Sequence, residues 1–525
     1  MFSEKIHRYA YIFFIILLGI SIPLSPYLTS VSQFFIALNW LLELDFINKW
    51  KRIKYNKPAQ YLMLLFILHL IWLINTKDFD YAWHDIRIKV PLFVLGLLIG
   101  SCKPFSWKEL KVILNFSILA VISSTIISAF IYYEATYIIY TDVRDISIFI
   151  SHIRLSLLVN IAIFSSYYLF KKEQITSLKY TYISIIIWLI FFLYILNAYT
   201  GLLIFFIVVL AALIRLLTKR ANNWTKRIAL VSIITALIFG IFISNKYIST
   251  FYNFDKIPSK DKLPEKTING NKYLHKRESS LKENGHYTYL YYCRKEIKKE
   301  WNKRSELDFD KGLDAKGNGV RFTLINYLSS LNYRKDSLGL SKLNAEDILM
   351  IEKGYSNYIY KDKYSLYSKI YPILHQINLY NESGYANGAS TVQRFEYLKI
   401  AKKIISENFW FGTGTGDVNL AFKKHYKNNE SKLRPEFQNR AHNQLITFFI
   451  SFGIFGFILS TFLMFAPILK RWKYFLPLVF TLTAFLSMLN EDTLETQAGL
   501  MFFVFYYALF FIAYSFEQKK DYSQE

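Results

Sequence analysis

Residues 180–214 read YTYISIIIWLIFFLYILNAYTGLLIFFIVVLAALI, a stretch without a single Asp, Glu, Lys or Arg. A helix needs about 20 predominantly apolar residues to span the hydrocarbon core of a bilayer. The stretch and its continuation therefore predict two membrane-spanning helices, at 180–197 and 201–218. The whole composition agrees, because only 19% of the 525 residues are charged, against about 25% in a soluble domain. These proportions exclude a soluble enzyme and a disordered chain.

Ten further apolar runs bring the number of predicted spans to twelve. They lie at about 9–25, 27–46, 59–75, 88–102, 110–132, 148–170, 228–245, 442–467, 473–490 and 498–516. We therefore predict an all-α integral membrane protein with one large, mainly helical loop. Its predicted domains are 1–245 with spans one to nine, 246–440 as the loop, and 441–525 with spans ten to twelve and a tail.

The basic residues between the spans predict the orientation. Alternate connections carry 23 Lys and Arg, whereas the short connections on the other side carry only Lys77, Arg87, Lys89 and Arg144. Positive charge favours the cytoplasmic side, so we expect both termini and the tail to be cytoplasmic. The loop 246–440 then lies outside although it is basic, with 35 Lys and Arg against 22 Asp and Glu. Long loops translocate largely regardless of charge.

The net charge of +24 has two possible meanings. In a soluble protein it would suggest nucleic acid. In a chain with many spans it fits membrane lipids and an external surface that attracts polyanions such as a phosphorylated glycolipid. We expect no nucleic-acid partner.

The end of the loop carries an amphipathic pattern. Residues 393–405 read QRFEYLKIAKKII, with lysines at 399, 402 and 403. Helical spacing predicts an apolar face opposite these lysines. That face consists of Phe395, Leu398, Ala401 and Ile405.

Gly412, Gly414 and Gly416 follow this helix at every second position. Such a backbone can approach a ligand closely or adopt positive φ. It lacks the Lys-Ser/Thr pair of a P-loop, so a packing turn and a phosphate cradle both stay open. His442 then stands where the tenth span begins, either as a structural residue or as a group that handles a proton.

Ionisable residues at membrane depth are costly and indicate function. Two explanations apply here, mutual salt bridging or convergence on one external cavity where cations hold a phosphate. The residues concerned are Arg87, Lys89, Arg154, Glu491, Asp492 and Glu495.

Five segments together resemble the O-antigen ligase family of polytopic membrane glycosyltransferases, which includes O-antigen polymerases and protein O-oligosaccharyltransferases. They are Ser151–Leu157 (SHIRLSL), Arg334–Leu340 (RKDSLGL), the Arg394 helix running into Gly412–Gly416 (GTGTG), His442-Asn443 with Gly453 and Gly456 after them, and Asn490–Gly499 (NEDTLETQAG). One position departs from the family pattern, because Tyr397 and Leu398 stand where a Trp usually follows the arginine.

The resemblance implies a GT-C-like fold and a multi-pass protein of the bacterial inner membrane with the large loop in the periplasm. It implies a metal-independent, inverting glycosyltransferase without a cofactor. The donor would be a glycan on undecaprenyl pyrophosphate. The acceptor would be a sugar hydroxyl of lipid A-core, as in an O-antigen ligase. A further glycan repeat, as in a polymerase, and a protein hydroxyl are the alternatives, and a transporter or flippase is the alternative outside the family.

The resemblance also implies the roles of individual residues. Arg154 and Arg394 match the arginines that bind pyrophosphate, with Arg87 and Lys89 as further cations, and His442 and Arg394 are the expected catalytic groups. A histidine has an ordinary pKa of about 6.5 and can act as a general base or as a cation. We expect supporting roles for Asn443, Glu491, Glu495, Gly414 and Gly416.

Overall fold

A computed structural model describes residues 2–135, 146–218, 222–279, 281–362, 365–428 and 431–516. These described residues are mostly helical, at 74%. Arg144 and the predicted tail after Phe516 lie outside the described residues.

The helices of the described residues are numbered α1 to α20 in chain order. The first nine are α1 (Phe2–Leu24), α2 (Pro26–Leu42), α3 (Phe46–Tyr55), α4 (Lys57–Ile71), α5 (Phe79–Ser101), α6 (Trp107–Ala135), α7 (His152–Lys172), α8 (Thr176–Ile195) and α9 (Tyr199–Thr218). The others are α10 (Asn223–Phe251), α11 (Arg294–Arg304), α12 (Val320–Ser330), α13 (Ser337–Ser341), α14 (Ala345–Glu352), α15 (Leu366–Ser383), α16 (Ser390–Glu407), α17 (Val418–Lys427), α18 (Gln444–Arg471), α19 (Phe475–Asn490) and α20 (Gln497–Tyr507). A short antiparallel hairpin pairs β1 (Lys282–Glu283) with β2 (His286–Tyr287).

Several helices could cross a membrane. Eight among the described residues are long and apolar enough, namely α1, α4 with its 3₁₀ extension to Asn75, α6, α7, α8, α9, α10 and α18. Helices α2 and α3 meet the criterion together but are bent by 118°, and α19 and α20 are shorter apolar helices. The predicted helical, multi-pass membrane protein is confirmed. The count of twelve spans and the periplasmic loop stay predictions.

The chain forms two compact units. The first comprises Met1–Lys219 with Arg394–Glu525, and the second comprises Arg220–Gln393. Helix α10, the ninth predicted span, belongs to the second unit. The predicted loop boundaries, 246 and 440, stay a prediction.

Helix α20 lies in the core of the first unit. Every residue from Gly499 to Ala513 is buried, and the helix packs against α1, α5 and α7. A π-helical segment, Ala508–Ala513, follows directly after α20. A helix that is apolar on all sides has no face for water and is buried by its neighbours.

Helix α18 is broken at Gly453, where φ is +63° and ψ is −170°. The carbonyls of Ile450 and Ser451 accept hydrogen bonds of 2.8 and 2.9 Å from the backbone N–H groups of the loop 412–416. A Cβ atom at Gly453 would lie 2.3 Å from the carbonyl of Trp410. The N–H groups of the loop therefore give hydrogen bonds to the carbonyl groups that the break in α18 leaves without helical partners. In an apolar surrounding such backbone groups need a partner within the protein.

The apolar face predicted for 393–405 is partly wrong. Phe395 and Leu398 are 44% and 42% exposed, whereas Tyr397 and Ala401 are buried as part of α16. The Tyr397 hydroxyl donates to the carbonyl of Phe437 at 2.8 Å. A tyrosine rather than a phenylalanine therefore faces the interior at this point of the helix.

The segment 334–340 builds a tight turn in the second unit. The Asp336 carboxylate accepts the N–H of Gly339 at 2.7 Å and caps α13. A Cβ atom at Gly339 would lie 1.7 Å from the carbonyl oxygen of Arg334. Position 339 therefore requires glycine in this segment, which is one of those that resemble the O-antigen ligase family.

The second unit also buries an acid beside a histidine. Glu283 Oε2 lies 3.4 Å from His375 Nε2. Burial raises the pKa of Glu283 to about 8, and burial lowers the pKa of His375. Both side chains are therefore mainly neutral at pH 7.

Candidate active site

The turn between α19 and α20 brings three acids together within five positions. They are Glu491, Asp492 and Glu495. Thr496 ends the turn by accepting the N–H of Gly499 at 3.3 Å, which caps α20. A Cβ atom at Gly499 would lie 2.0 Å from the carbonyl oxygen of Thr493 and 2.9 Å from Nε of Arg154. Glycine therefore lets this turn and Arg154 approach the start of α20.

Glu495 is a buried acceptor. Its Oε1 accepts hydrogen bonds from Nζ of Lys89 at 3.1 Å and from Nε2 of Gln444 at 2.9 Å. Its Oε2 lies 3.5 Å from Nη1 of Arg440. Burial alone would raise the pKa of Glu495, but Lys89 and Arg440 outweigh burial and hold this pKa well below its ordinary value. Lys89 also contacts Asp85, so it is engaged in buried ion pairs.

Arg440 links Glu495 to Asp492. Its Nη2 lies 3.6 Å from Oδ2 of Asp492, and its Nη1 donates to the Tyr81 hydroxyl at 3.2 Å. Burial would lower the pKa of Arg440, but the two carboxylates raise it above its ordinary value. The other carboxylate oxygen of Asp492 accepts from the Thr447 hydroxyl at 2.6 Å. Asp492 is thus fixed from two sides.

Glu491 bridges the two arginines that the sequence predicts as pyrophosphate ligands. Its Oε1 lies 3.5 Å from Nη2 of Arg394, and its Oε2 lies 4.0 Å from Nη2 of Arg154. Arg394 also donates to the amide oxygen of Asn490. Arg154 donates to the carbonyl of Asp492 at 3.3 Å. In the part of the chain that the structure describes, the buried Nη1 of Arg154 has no hydrogen-bond partner.

A cavity of about 450 Å³ opens beside these groups. Its lining combines α7, α17, the segment 435–442 and the turn 491–496. The charged and ionisable residues on its wall are Arg154, Lys423, Arg440, His442, Glu491, Asp492 and Glu495. Tyr426, Asn419 and Asn439 add aromatic and amide groups. This wall can hold a phosphate and the hydroxyls of a sugar.

His442 lines the same cavity from just before α18. Its backbone φ is +49°, which costs a non-glycine residue about 1–2 kcal/mol. Asn443 fixes this position, because its Oδ1 caps α18 by accepting from Ile446 at 3.1 Å and its Nδ2 donates to the carbonyl of Leu489 at 2.8 Å. The His442 ring lies 5.8 Å from the ring of Tyr397, centre to centre. Within the described ranges neither of its ring nitrogens has a hydrogen-bond partner.

The glycine loop packs against the end of α4 instead. Cβ atoms at Gly414 and Gly416 would lie 2.8 Å from the carbonyl oxygen of Asn75 and 2.3 Å from that of Asp78. The Asp417 carboxylate accepts the N–H groups of Lys77 and Asp78 at 2.8–3.0 Å. Neither glycine is part of the cavity wall. Their supporting role in the site stays a prediction.

The predicted cations fall into three kinds of surroundings. Arg154 lines the cavity, and Arg394 contacts its wall through Glu491. Lys89 is buried between two carboxylates. Arg87 is exposed beside His84, at 3.5 Å, and is not part of the wall. Its role in binding pyrophosphate stays a prediction.

Two charged residues of the cavity wall received no role from the sequence. Arg440 stands two positions before His442, and this spacing at a predicted membrane boundary could have singled it out. Lys423 is exposed on α17, and nothing distinguishes it from the other lysines of a Lys-rich segment.

A comparison with protein families gives one match. Residues 358–461 match the family model described as O-antigen ligase. This part of the chain is similar to the O-antigen ligase family. The match covers about a fifth of the chain and takes in Arg394, the glycine loop, His442 and the break in α18. The comparison with curated proteins finds no match.

This match confirms the predicted resemblance. The matched segment indicates a glycosyltransferase family of the O-antigen ligase or polymerase type. Arg154 and the turn 490–496 lie outside the matched residues. Their proximity to Arg394 and His442 is a finding of the structure alone.

Proposed function

We propose that this protein transfers a glycan from undecaprenyl pyrophosphate to a sugar hydroxyl of lipid A-core, as an O-antigen ligase. The reaction would take place at the periplasmic face of the bacterial inner membrane. The family match supports the reaction type, and the charges around the cavity support a pyrophosphate donor.

One observation carries the proposal. Arg154 and Arg394 come from α7 and α16, far apart in the chain, yet both contact Glu491 at the wall of the cavity. Guanidinium groups form paired hydrogen bonds with phosphate oxygens. Two guanidinium groups beside one cavity therefore suit a pyrophosphate better than a neutral ligand.

The proposed chemistry uses neither a metal nor a nucleotide. The acceptor oxygen forms a bond to the anomeric carbon while the bond from that carbon to the pyrophosphate oxygen breaks. Undecaprenyl pyrophosphate leaves with the bonding electrons, and the configuration at the anomeric carbon inverts. Arg154 and Arg394 balance the charge of the leaving group. His442 either takes the acceptor proton or acts as a third cation, in which case the acceptor proton passes to an oxygen of the leaving pyrophosphate.

The first experiment replaces each arginine by lysine. Lysine keeps the charge but loses the planar pair of donors. Arg154→Lys and Arg394→Lys should each lower transfer about 100-fold, equivalent to about 2.7 kcal/mol of transition-state stabilisation. Transfer is measured with purified protein and lipid-linked donor, next to protein amount and thermal stability.

Arg434→Lys is the matched control, because Arg434 is exposed and pairs with Glu436 at 3.9 Å. It should change transfer less than twofold, since an exposed ion pair contributes about 0–1 kcal/mol. Full activity of a folded Arg154→Lys or Arg394→Lys protein would contradict the proposed donor site.

The proposed topology has twelve spans, both termini in the cytoplasm and the loop 246–440 in the periplasm. Topology reporters fused at Lys54 and Lys172 should report the cytoplasm, and one fused at Ser305 should report the periplasm. A cytoplasmic signal at Ser305 would contradict the proposed location of the reaction.

The acceptor distinguishes this proposal from its alternatives. Deletion of an O-antigen ligase leaves lipid A-core without long glycan. Deletion of an O-antigen polymerase leaves core with a single repeat, and deletion of a protein O-oligosaccharyltransferase leaves secreted proteins without glycan. The glycolipids and secreted glycoproteins of a deletion strain therefore identify the acceptor class.

A further inference from the structure

The ion pairs at and behind the cavity wall join eight groups into a cluster whose formal charges balance. Four carboxylates and four cations contact one another among the described residues. They are Asp85, Glu491, Asp492 and Glu495 with Lys89, Arg154, Arg394 and Arg440. A balanced cluster attracts a polyanion weakly, because each guanidinium that would bind it already faces a carboxylate. Binding of a pyrophosphate thus requires one carboxylate to give way.

Glu491 has the weakest contacts of the three acids in the turn. Asp492 accepts a bond of 2.6 Å, and Glu495 accepts bonds of 2.9 and 3.1 Å. Glu491 has only contacts of 3.5 and 4.0 Å, which are longer than good charge-assisted hydrogen bonds. Its side chain is also the most exposed of the three, at 15% against 9% and 6%.

Arg154 is at the same time short of an acceptor. The buried Nη1 of Arg154 has no hydrogen-bond partner in the described part of the chain. A buried donor without a partner costs about 1–3 kcal/mol. A ligand with more acceptor oxygens than one carboxylate would remove this cost.

We propose that the Glu491 carboxylate occupies the phosphate position between Arg154 and Arg394, and that the donor pyrophosphate displaces it. Glu491 is then a positioning residue that keeps the two arginines together in the empty site. The inference rests on the proposed function, because it needs these arginines to bind the donor. No bond is made or broken in this exchange.

Glu491→Gln tests the exchange, because the amide keeps the shape and removes the competing charge. The probe is inorganic pyrophosphate, with binding to full-length protein in nanodiscs measured by calorimetry. The dissociation constant should fall about tenfold, the factor that about 1.4 kcal/mol of electrostatic free energy gives. The KM for lipid-linked donor should fall as well, while the KM for the acceptor stays unchanged. A merely structural role of Glu491 would not tighten binding.

Glu436→Gln is the matched control. It removes the same charge next to the wall residues Pro435 and Gln438, but Glu436 pairs with Arg434 and contacts neither predicted donor arginine. Its effect on pyrophosphate binding should stay below about twofold. An equal gain from Glu436→Gln would overturn the proposal, since general electrostatics would then explain the effect.

Arginine variants separate failure of the inference from failure of the function. If wild-type protein binds pyrophosphate, Arg154→Lys and Arg394→Lys weaken binding, and Glu491→Gln binds no more tightly, the exchange is overturned and the donor site stands. If the arginine variants bind like the wild type, or neither wild type nor Glu491→Gln binds, both proposals are overturned. Measurable binding by Glu491→Gln alone supports the exchange.

Discussion

The glycine loop 412–416 and the acidic turn 490–496 both carry residues that the sequence predicts for the active site, and they differ in what holds them. The loop is fixed by backbone contacts with α4 and with the break in α18. The turn is fixed by ion pairs between side chains that come from α5, α7, α16 and the segment before α18. The loop therefore tolerates no added atom, whereas the turn tolerates a change of shape better than a change of charge.

The largest effect should follow from an added methyl group in the loop. A Cβ atom at Gly412 would lie 2.4 Å from the backbone of Ser451, and its φ of +71° disfavours alanine. Gly412→Ala should cost more than about 4 kcal/mol, which leaves little folded protein. Size-exclusion chromatography of detergent extracts measures this.

Gly240→Ala is the control for this substitution. Its Cβ would meet nothing within 4 Å on α10. The variant should fold like the wild type or gain up to about 1 kcal/mol. Wild-type amounts of folded Gly412→Ala protein would contradict the view that the loop is held by close backbone contact.

The second-largest effect should follow from removal of a negative charge in the turn 490–496. Glu495→Gln would leave Lys89 and Arg440 buried without their shared carboxylate. Removal of one partner from a buried ion pair costs about 3–5 kcal/mol. The melting temperature of the purified protein should fall, and that of Glu436→Gln should hardly change. A Glu495→Gln protein as stable as the wild type would mean that the pairs do not hold the turn.

His442 allows backbone geometry and chemistry to be tested at one residue. Its φ is positive, and its side chain is an expected catalytic group. Asn tolerates the left-handed region that φ of +49° requires, so His442→Asn should fold and yet lose transfer at least about 100-fold. A general base predicts wild-type activity that rises with pH through the histidine pKa, and a cation predicts that it falls. His442→Lys should restore activity only in the second case. Full activity of both variants would show that His442 is structural.

The smallest effect concerns a buried acid in the second unit. Glu283 lies beside a neutral histidine, so burial raises its pKa to about 8, while Glu495 beside two cations has a lowered pKa. A raised acid pKa gives stability that is present below about pH 4.5 and is lost as pH rises through 8.

The pH dependence of unfolding measures this loss. The wild-type free energy of unfolding should fall by at most about 1.4 kcal/mol per pH unit between pH 6 and 8 from this group. Glu283→Gln should remove that part of the slope, and Glu306→Gln, on an exposed site, should retain it. An unchanged slope in Glu283→Gln would assign the loss to other groups.

Apolar runs were enough to predict most of the long helices of the first unit, because length and composition decide a span. They also identified Arg154, since a charge inside such a run needs a reason. They could not reveal that Glu491 joins Arg154 to Arg394, because no periodicity relates residues on three different helices or turns. The exposed Phe395 shows a second limit, since the residue that faces the interior is Tyr397 and its hydroxyl partner lies 40 positions away in the sequence.

The burial of α20 has a consequence for biosynthesis. Among the described helices α20 comes last along the chain, and yet it lies among α1, α5 and α7. Those helices cannot close around it before α20 itself has been synthesised. The turn 490–496 is synthesised just before α20. A truncated polypeptide that lacks α19, this turn and α20 therefore contains Arg154 and Arg394 without Glu491, the carboxylate that contacts both.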